Sequence, residues 1–384
     1  DLVAAFAGNI TQHTGNITIN DAPTVAQLKA INNATTGAIT LSTANGALSG
    51  SAADLILAFA GTVTEHTGTV TITDTPTVAQ LAAIDAATTG TISINGGETS
   101  DPLTGTTAQV LSSLASLSAY TGTITITDAA GTAIQATDLA DVGSRTTGTV
   151  TVSNAVAITG NHTELTAALV TADSRVFLGG SSNDASLLLN DADGTSISAT
   201  TLSNIGGQTN ATVTVSNAIA ITGTTTELLA ALVTDTSKVI VNDATVTITD
   251  AAATDITATD ITAIHSASTG SITVANAIDI HGSASDVAAA FSSIDTNTGN
   301  ATANITGNDY TTTQLKNINN VTTGAITLNT TNVTLSGSAA DLVAAFAGTI
   351  TEHTGNITIT DTPTDAQLAA IDAATTGTIT VGGG

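Results

Sequence analysis

Three of the six histidines in this 384-residue sequence share one setting, and they are the first side chains that could do chemistry. His13 lies in Gln-His-Thr-Gly, while His66 and His353 lie in Glu-His-Thr-Gly, with Glu65 and Glu352 adjacent. An imidazole beside a carboxylate can hold a metal or carry a proton. His13 and His66 are 53 positions apart. In a stacked repeat that is two coils, roughly 10 Å, too far for one coordination shell. The pattern fits a surface residue copied by duplication. His162, His265 and His281 stand alone and carry no assigned role.

A second candidate is Asp191-Ala-Asp193-Gly194, which has the look of a fragment of a calcium loop. The further ligands and the bidentate glutamate of an EF-hand are missing. The related turns read Asp-Ala-Ala-Gly from Asp128 and Asp-Ala-Ala-Ala from Asp250, which fits an Asx-type turn. Calcium bridging acids between coils through Asp191 and Asp193 is the one cofactor the sequence admits. No Gly-x-Ser-x-Gly elbow and no phosphate-binding loop occurs. Arg145 and Arg175 are the only arginines, few for a polysaccharide-cleaving cleft. The reading is therefore non-enzymatic, with no catalytic residue assigned.

The most regular polar feature is Thr-x-Thr. It occurs at Thr69, Thr71 and Thr73, at Thr123, Thr125 and Thr127, and at Thr245, Thr247 and Thr249, among others. Threonine suits the solvent face of a strand. Stacked in a parallel sheet, these residues are expected to make a flat grid two or three files wide. Such a face could pack against another copy, grip polysaccharide, or bind ice, as the similar grid of ice-binding solenoids does.

The elements that must position these residues are read from the repeats. Asp-Leu-Val-Ala-Ala-Phe-Ala-Gly at residue 1 returns at Asp341, and as Asp-Leu-Ile-Leu-Ala-Phe-Ala-Gly at Asp54. A Thr-Gly marker recurs at steps of 22 and 31, and Ser-Asn-Ala at Ser153 recurs at Ser216 after 63. Residues 28–97 align with 315–384 at 55 of 70 positions. A super-repeat of 285–287 residues follows, so that 1–97 recurs as 286–384, with longer-period coils across 149–285. Repeats of this length mean a solenoid.

One module, residues 69–90, shows its parts. Thr69 to Thr73 alternate as a strand with Val70 and Ile72 inward. Pro76 breaks it, Thr77 and Gln80 form a capping box, and Val78, Leu81 and Ile84 give a short helix one apolar face. Gly90 is expected to close the module in a left-handed turn. The same box is expected at Ser51 with Asp54, Asn161 with Glu164, Thr224 with Glu227, Thr257 with Asp260, Ser283 with Asp286, and Ser338 with Asp341, among others. In 149–170 two strands flank a Ser-Asn corner before the helix. Asn45-Gly46 is the exception, where a local hairpin stays open as an alternative. The expected fold is a single continuous solenoid over 1–384, mainly parallel β with short helices in each coil. Each module is too small to bury its apolar stripe alone, so neighbours stack.

Composition narrows the partners. The chain has 31 acidic and 5 basic residues, a formal charge of −26, and no Cys, Met or Trp. That charge offers nothing to nucleic acid or anionic membranes, and no apolar run reaches transmembrane length. Without cysteine there is no disulfide framework and no thiolate site.

The phrases ITDTPTVAQLAAIDAATTGTI and SGSAADLVAAFAGTIT resemble those of giant secreted repeat-containing surface proteins of marine cyanobacteria, of the swimming-motility type. The resemblance runs along essentially the whole chain and rests on repetitive sequence. It implies an extracellular, cell-surface, non-enzymatic protein, with calcium dependence as an accompanying expectation. Its partners would be flanking repeats of the same long chain, other copies packed laterally, or polysaccharide. It carries no site residue across.

Overall fold

The computed structural model of the protein describes residues 2–7, 12–94, 100, 102–115, 117, 120–179 and 184–382. Its strands are short, and every strand pair with a described register is parallel. The fold is an α/β solenoid, with strands and short helices alternating along the chain. The chain divides into two compact units, Asp1–Leu187 with Gln208–Ala211, and Leu188–Gly207 with Thr212–Gly384.

In the first unit Ile17–Ile19 pairs with Ile39–Leu41. Leu48–Gly50, Val70–Ile72 and Ile92–Ile94 form a second sheet. Leu103–Gly105, Ile124–Ile126, Val150–Val152 and Val176–Leu178 form a third. In the second unit a five-stranded sheet runs from Ser196–Ser198 through Ala220–Gly223, Thr245–Ile248 and Ile272–Val274 to Thr296–Asn297. Asp255–Thr257, Asp279–Gly282, Thr302–Ile305 and Ile326–Leu328 make another, and Leu335–Gly337, Ile357–Ile359 and Ile379–Val381 a third.

Register explains the sequence periods. Ile17 faces Ile39, Val70 faces Ile92, and Ile357 faces Ile379, each 22 residues on. Coils between residues 124 and 274 are longer, since Ile124 faces Val150 and Val246 faces Ile272, 26 residues on. The 31-residue step is not a coil. It is 22 plus the 9 residues from Ile39 to Leu48, where the chain passes from one sheet to the next within a coil. Asn45-Gly46 lies in that passage, and both flanking strands pair in parallel elsewhere. Of the two alternatives there, the hairpin does not form, because the strand after the corner joins the next sheet.

The alternation in 69–90 is borne out. Val70 and Ile72 are fully buried in the strand Val70–Ile72, and Val78, Leu81 and Ile84 form the buried face of the helix Val78–Asp85. The three-residue spacing recurs as Val25, Leu28 and Ile31 and as Ala258, Ile261 and Ile264. A short helix with one narrow apolar stripe can cover one coil edge and still meet its neighbours in the stack. The helices at 162–165 and 225–228 continue into π turns, Thr166–Val170 and Leu229–Val233. The wider turn turns two successive residues inward, Ala168 with Leu169 and Ala231 with Leu232.

Full capping boxes form at Thr24, Thr77, Thr106, Asn161, Thr224, Thr311 and Thr364, each with Gln or Glu three residues on. Where the third residue is aspartate the box is only half made. Ser51, Ser283 and Ser338 accept the aspartate amide, but the shorter carboxylate does not reach back to the cap amide. At Thr257 no side-chain cap forms at all. Among the described residues no helix is long and apolar enough to cross a membrane.

Candidate functional site

All nine threonines singled out by spacing point outward. Thr69, Thr73, Thr123, Thr127, Thr245 and Thr249 are exposed, and Thr71, Thr125 and Thr247, each at a strand centre, are half-buried by neighbours. They belong to three different sheets, so they do not make one grid. Thr71 stands between Ser49 and Ser93, and the Ser93 hydroxyl donates to Thr71 at 3.3 Å. Thr125 stands between Thr104 and Thr151, and that file ends on Phe177, 58% exposed. Thr247 belongs to the longest file, Ser198, Thr222, Thr247, Thr273 and Thr296. Five strands at about 4.8 Å give a line of hydroxyls about 19 Å long. It is one file wide at Thr245, whose partner is Ala220.

The calcium candidates sit at a tight turn. Thr195 donates its amide to Ala192 at 3.0 Å, Gly194 takes a φ of +74°, and its amide reaches Ala218 at 2.7 Å. Asp191 is buried, and its carbonyl accepts the Asn217 amide group at 2.6 Å. The Asp193 carboxylate accepts the Ala218 backbone amide at 3.1 Å. The turns at Gly131 and Ala253 repeat this geometry, with φ of +77° and +61°. Among the described residues no group of three His, Cys, Asp or Glu side chains is arranged to hold a metal ion. A calcium ion here would draw its remaining oxygens from backbone carbonyls and water.

The histidines overturn the surface reading. His13 is exposed, but His66 and His353 are buried at 2% and 0% exposure. Each ring spans two neighbouring stretches of chain. Nε2 of His66 lies 2.7 Å from the Gly46 carbonyl and Nδ1 lies 3.2 Å from the Thr88 hydroxyl. Nε2 of His353 lies 2.8 Å from the Val333 carbonyl and Nδ1 lies 3.3 Å from Thr375. A carbonyl only accepts, so Nε2 carries the proton and Nδ1 faces the hydroxyl. Phe59 packs on His66, and Tyr310 and Phe346 pack on His353. Burial holds the His353 pKa below the ordinary value. Both rings are crosslinks between coils.

Three further sets of polar groups do the same work, and none was read as a site from the sequence. The first is a ladder of buried hydroxyls. Thr88 donates to the His66 carbonyl at 2.8 Å and accepts the Gly90 amide at 2.9 Å. Thr146 bonds Gly122 and Gly148 likewise, at 2.7 and 2.9 Å, as Ser268 bonds Ala244 and Gly270, at 2.5 and 3.2 Å. Thr322 bonds Ala301 and Gly324 in the same way. Gly90 is glycine for space, not for a left-handed turn. Its φ is not positive, and a Cβ there would lie 1.7 Å from the Gly68 carbonyl oxygen.

The second set is strand-ending aspartates that cap a helix in the preceding coil. Asp74 accepts the amide of Ala52 at 2.7 Å, and Asp361 that of Ala339 at 2.8 Å. Asp128 and Asp250 each accept both amide and hydroxyl, from Thr107 and from Thr225, at 2.7 and 2.8 Å. Each meets the first amide of a helix, where the dipole favours an anion. The third set is the ion pairs Lys29 with Asp54 and Lys316 with Asp341, both at 2.5 Å. Hydrogen bonds from the lysine and from Ser51 or Ser338, with the lysine charge, hold both carboxyls below the usual range. Compared with known proteins, the chain matches no protein-family model and no curated protein.

Proposed function

We propose that this chain is a non-enzymatic structural repeat segment of a large extracellular surface fibre or layer protein. It would serve as a spacer or lattice element in motility, adhesion or envelope protection. The observation that carries the reading is where the chemistry-bearing side chains go. His66 and His353 are committed between coils, and so are Asp74, Asp128, Asp250 and Asp361. Arg145 pairs with Asp141 and the Leu114 carbonyl, and Arg175 with the Asp173 carbonyl. A chain that turns its reactive groups into coil-to-coil joints suits a stiff element built by repetition. The acidic exterior keeps such an element soluble in a saline medium. The complete reading frame tests this. Long flanks of the same repeat behind an export signal support it, and a frame little longer than 384 residues overturns it.

A second reading has its own observation, the five-deep hydroxyl file through Thr247. It makes the sheet a binding face for ice or polysaccharide. Ice shaping or retention on an insoluble glycan, lost on Thr222→Lys with Thr247→Lys, supports this reading. Activity that survives both changes removes the file from consideration.

A further inference from the structure

The sequence has two Asn-Gly pairs, and Asn45-Gly46 is the one among the described residues. It stands in the passage between Ile39–Leu41 and Leu48–Gly50. The Asn45 side chain is exposed and holds no hydrogen bond among the described residues. The Gly46 amide reaches only the Thr43 carbonyl, at a long 3.4 Å. A side-chain amide carbon beside the next main-chain nitrogen is an electrophile next to its own nucleophile. Glycine, without a Cβ, lets the two close on each other, whereas a β-branched residue obstructs them.

The super-repeat supplies a control coil. Residues 43–50 read Thr-Ala-Asn-Gly-Ala-Leu-Ser-Gly, and 330–337 read Thr-Thr-Asn-Val-Thr-Leu-Ser-Gly. The two stretches do the same structural work. The Gly46 carbonyl takes Nε2 of buried His66 at 2.7 Å, and the Val333 carbonyl takes Nε2 of His353 at 2.8 Å. The Thr67 amide donates to Ala44 at 2.9 Å, and the Thr354 amide to Thr331 at 2.8 Å. The Asn45 carbonyl is packed on Gly68, where a Cβ would lie 2.5 Å from its oxygen.

We infer that Asn45-Gly46 is a self-modifying site, and that its conversion to isoaspartate unlocks the buried His66 crosslink. The Gly46 nitrogen gives up its proton and bonds to Cγ of Asn45. Nδ2 of Asn45 takes a proton and leaves as ammonia, and a succinimide ring remains. Water then opens the ring at either carbonyl, giving aspartate or isoaspartate. The reaction consumes water alone and needs no oxidant, metal or enzyme. In isoaspartate the main chain runs through Cβ and Cγ, longer by a methylene carbon, and the former main-chain carbonyl becomes a free carboxylate. That charge stands against Gly68, and the Gly46 carbonyl moves off the His66 ring. A buried imidazole N–H without its acceptor is costly, so this coil opens. The coil at Asn332-Val333 keeps its crosslink, because the branched valine obstructs ring closure. The chemistry holds whatever the role of the chain.

The test incubates the full chain at mildly alkaline pH, where the amide gives up its proton more readily, and follows residue 45 by peptide mass mapping. A synthetic peptide of residues 41–50, aged beside it, marks when an unrestrained Asn-Gly pair has converted. By then Asn45 is expected to have exchanged ammonia for water, with Asn332 intact. Hydrogen exchange at the Thr67 amide is expected to quicken about tenfold or more in the converted chain, with Thr354 unchanged. Asn45→Gln, which would have to close a larger ring, is expected to hold Thr67 exchange at its starting value through the same incubation. Asn45 still intact once the peptide has converted overturns the inference. Conversion to isoaspartate with Thr67 exchange unchanged overturns it as well, and so does conversion of Asn332 at the same pace.

Discussion

Replacing Asp250 tests the coil-to-coil caps most directly. One oxygen of its carboxylate receives the Thr225 amide at 2.7 Å and the Thr225 hydroxyl at 2.8 Å, and both residues are buried. Asp250→Ala strands two buried donors at about 1–3 kcal/mol each, so a loss of about 3 kcal/mol is expected. Asp250→Asn keeps an acceptor and gives up the charge, and should cost about 1 kcal/mol. Thr225→Val removes the hydroxyl and leaves the amide bond in place. In the background of Asp250→Ala it should cost about 1 kcal/mol less than alone, since the hydroxyl is already stranded. Urea unfolding followed by circular dichroism gives the free energies. Exchange at the Thr225 amide gives the local answer, because a repeat array need not unfold in one step. An alanine variant within about 0.5 kcal/mol of the parent, with Thr225 exchange unaltered, refutes the capping role.

Ala253 has a φ of +61° in a turn where the counterparts are Gly131 and Gly194. Ala253→Gly should stabilise by about 0.5–1 kcal/mol, the left-handed strain relieved outweighing the freedom gained by the unfolded chain. Gly131→Ala and Gly194→Ala should each destabilise by about 1 kcal/mol on backbone conformation alone, since a Cβ there meets nothing within 4 Å. Urea midpoints of the three variants check this set, and equal signs at all three positions refute it. Gly90→Ala forces a Cβ to 1.7 Å from the Gly68 oxygen. It should cost more than about 3 kcal/mol, read as a lower melting temperature, and a silent substitution there would contradict the coil spacing. The His353 ring has a lowered pKa in the fold, against 6.5 in the open chain. Its neutral form therefore costs no stability above about pH 6.5, and stability falls as pH drops below that value, levelling once the folded ring also takes a proton. Melting curves should show a level gap between the parent and His353→Gln above about pH 6.5 and a narrowing gap as pH drops through that window. A constant separation refutes the assignment.

Much of the fold was legible because local signals agreed. In 69–90 the alternation, Pro76, the Thr77 cap and the Val78, Leu81, Ile84 stripe each specify one element, and the elements are short enough that nothing overrides them. The outward threonines were legible for the same reason, since a period of two allows only two faces. Their division among three sheets was not, because the alternation repeats in every strand and does not say which strands pair. The histidines were misplaced for a clear cause. Polar Glu65 and Thr67 flank His66, and only the distant Gly46 carbonyl and Thr88 hydroxyl make its burial tolerable. The caps at Asp74 and Asp250 escaped notice because their partners lie 22 and 25 residues back. A signal was present, as aspartate closes the Ile-Thr pattern at Asp74, Asp128, Asp250 and Asp361. It reads as a turn residue until the neighbouring coil is in view.

Those caps also impose an order in time. Each helix start is completed by an aspartate that lies 21 to 25 residues later in the chain. The buried ring of His353 likewise waits for Thr375. A chain emerging amino end first from a ribosome therefore carries the helix starts at Ala52, Thr107, Thr225 and Ala339 without these caps until the next coil has followed. At these four places the following coil completes the one before it.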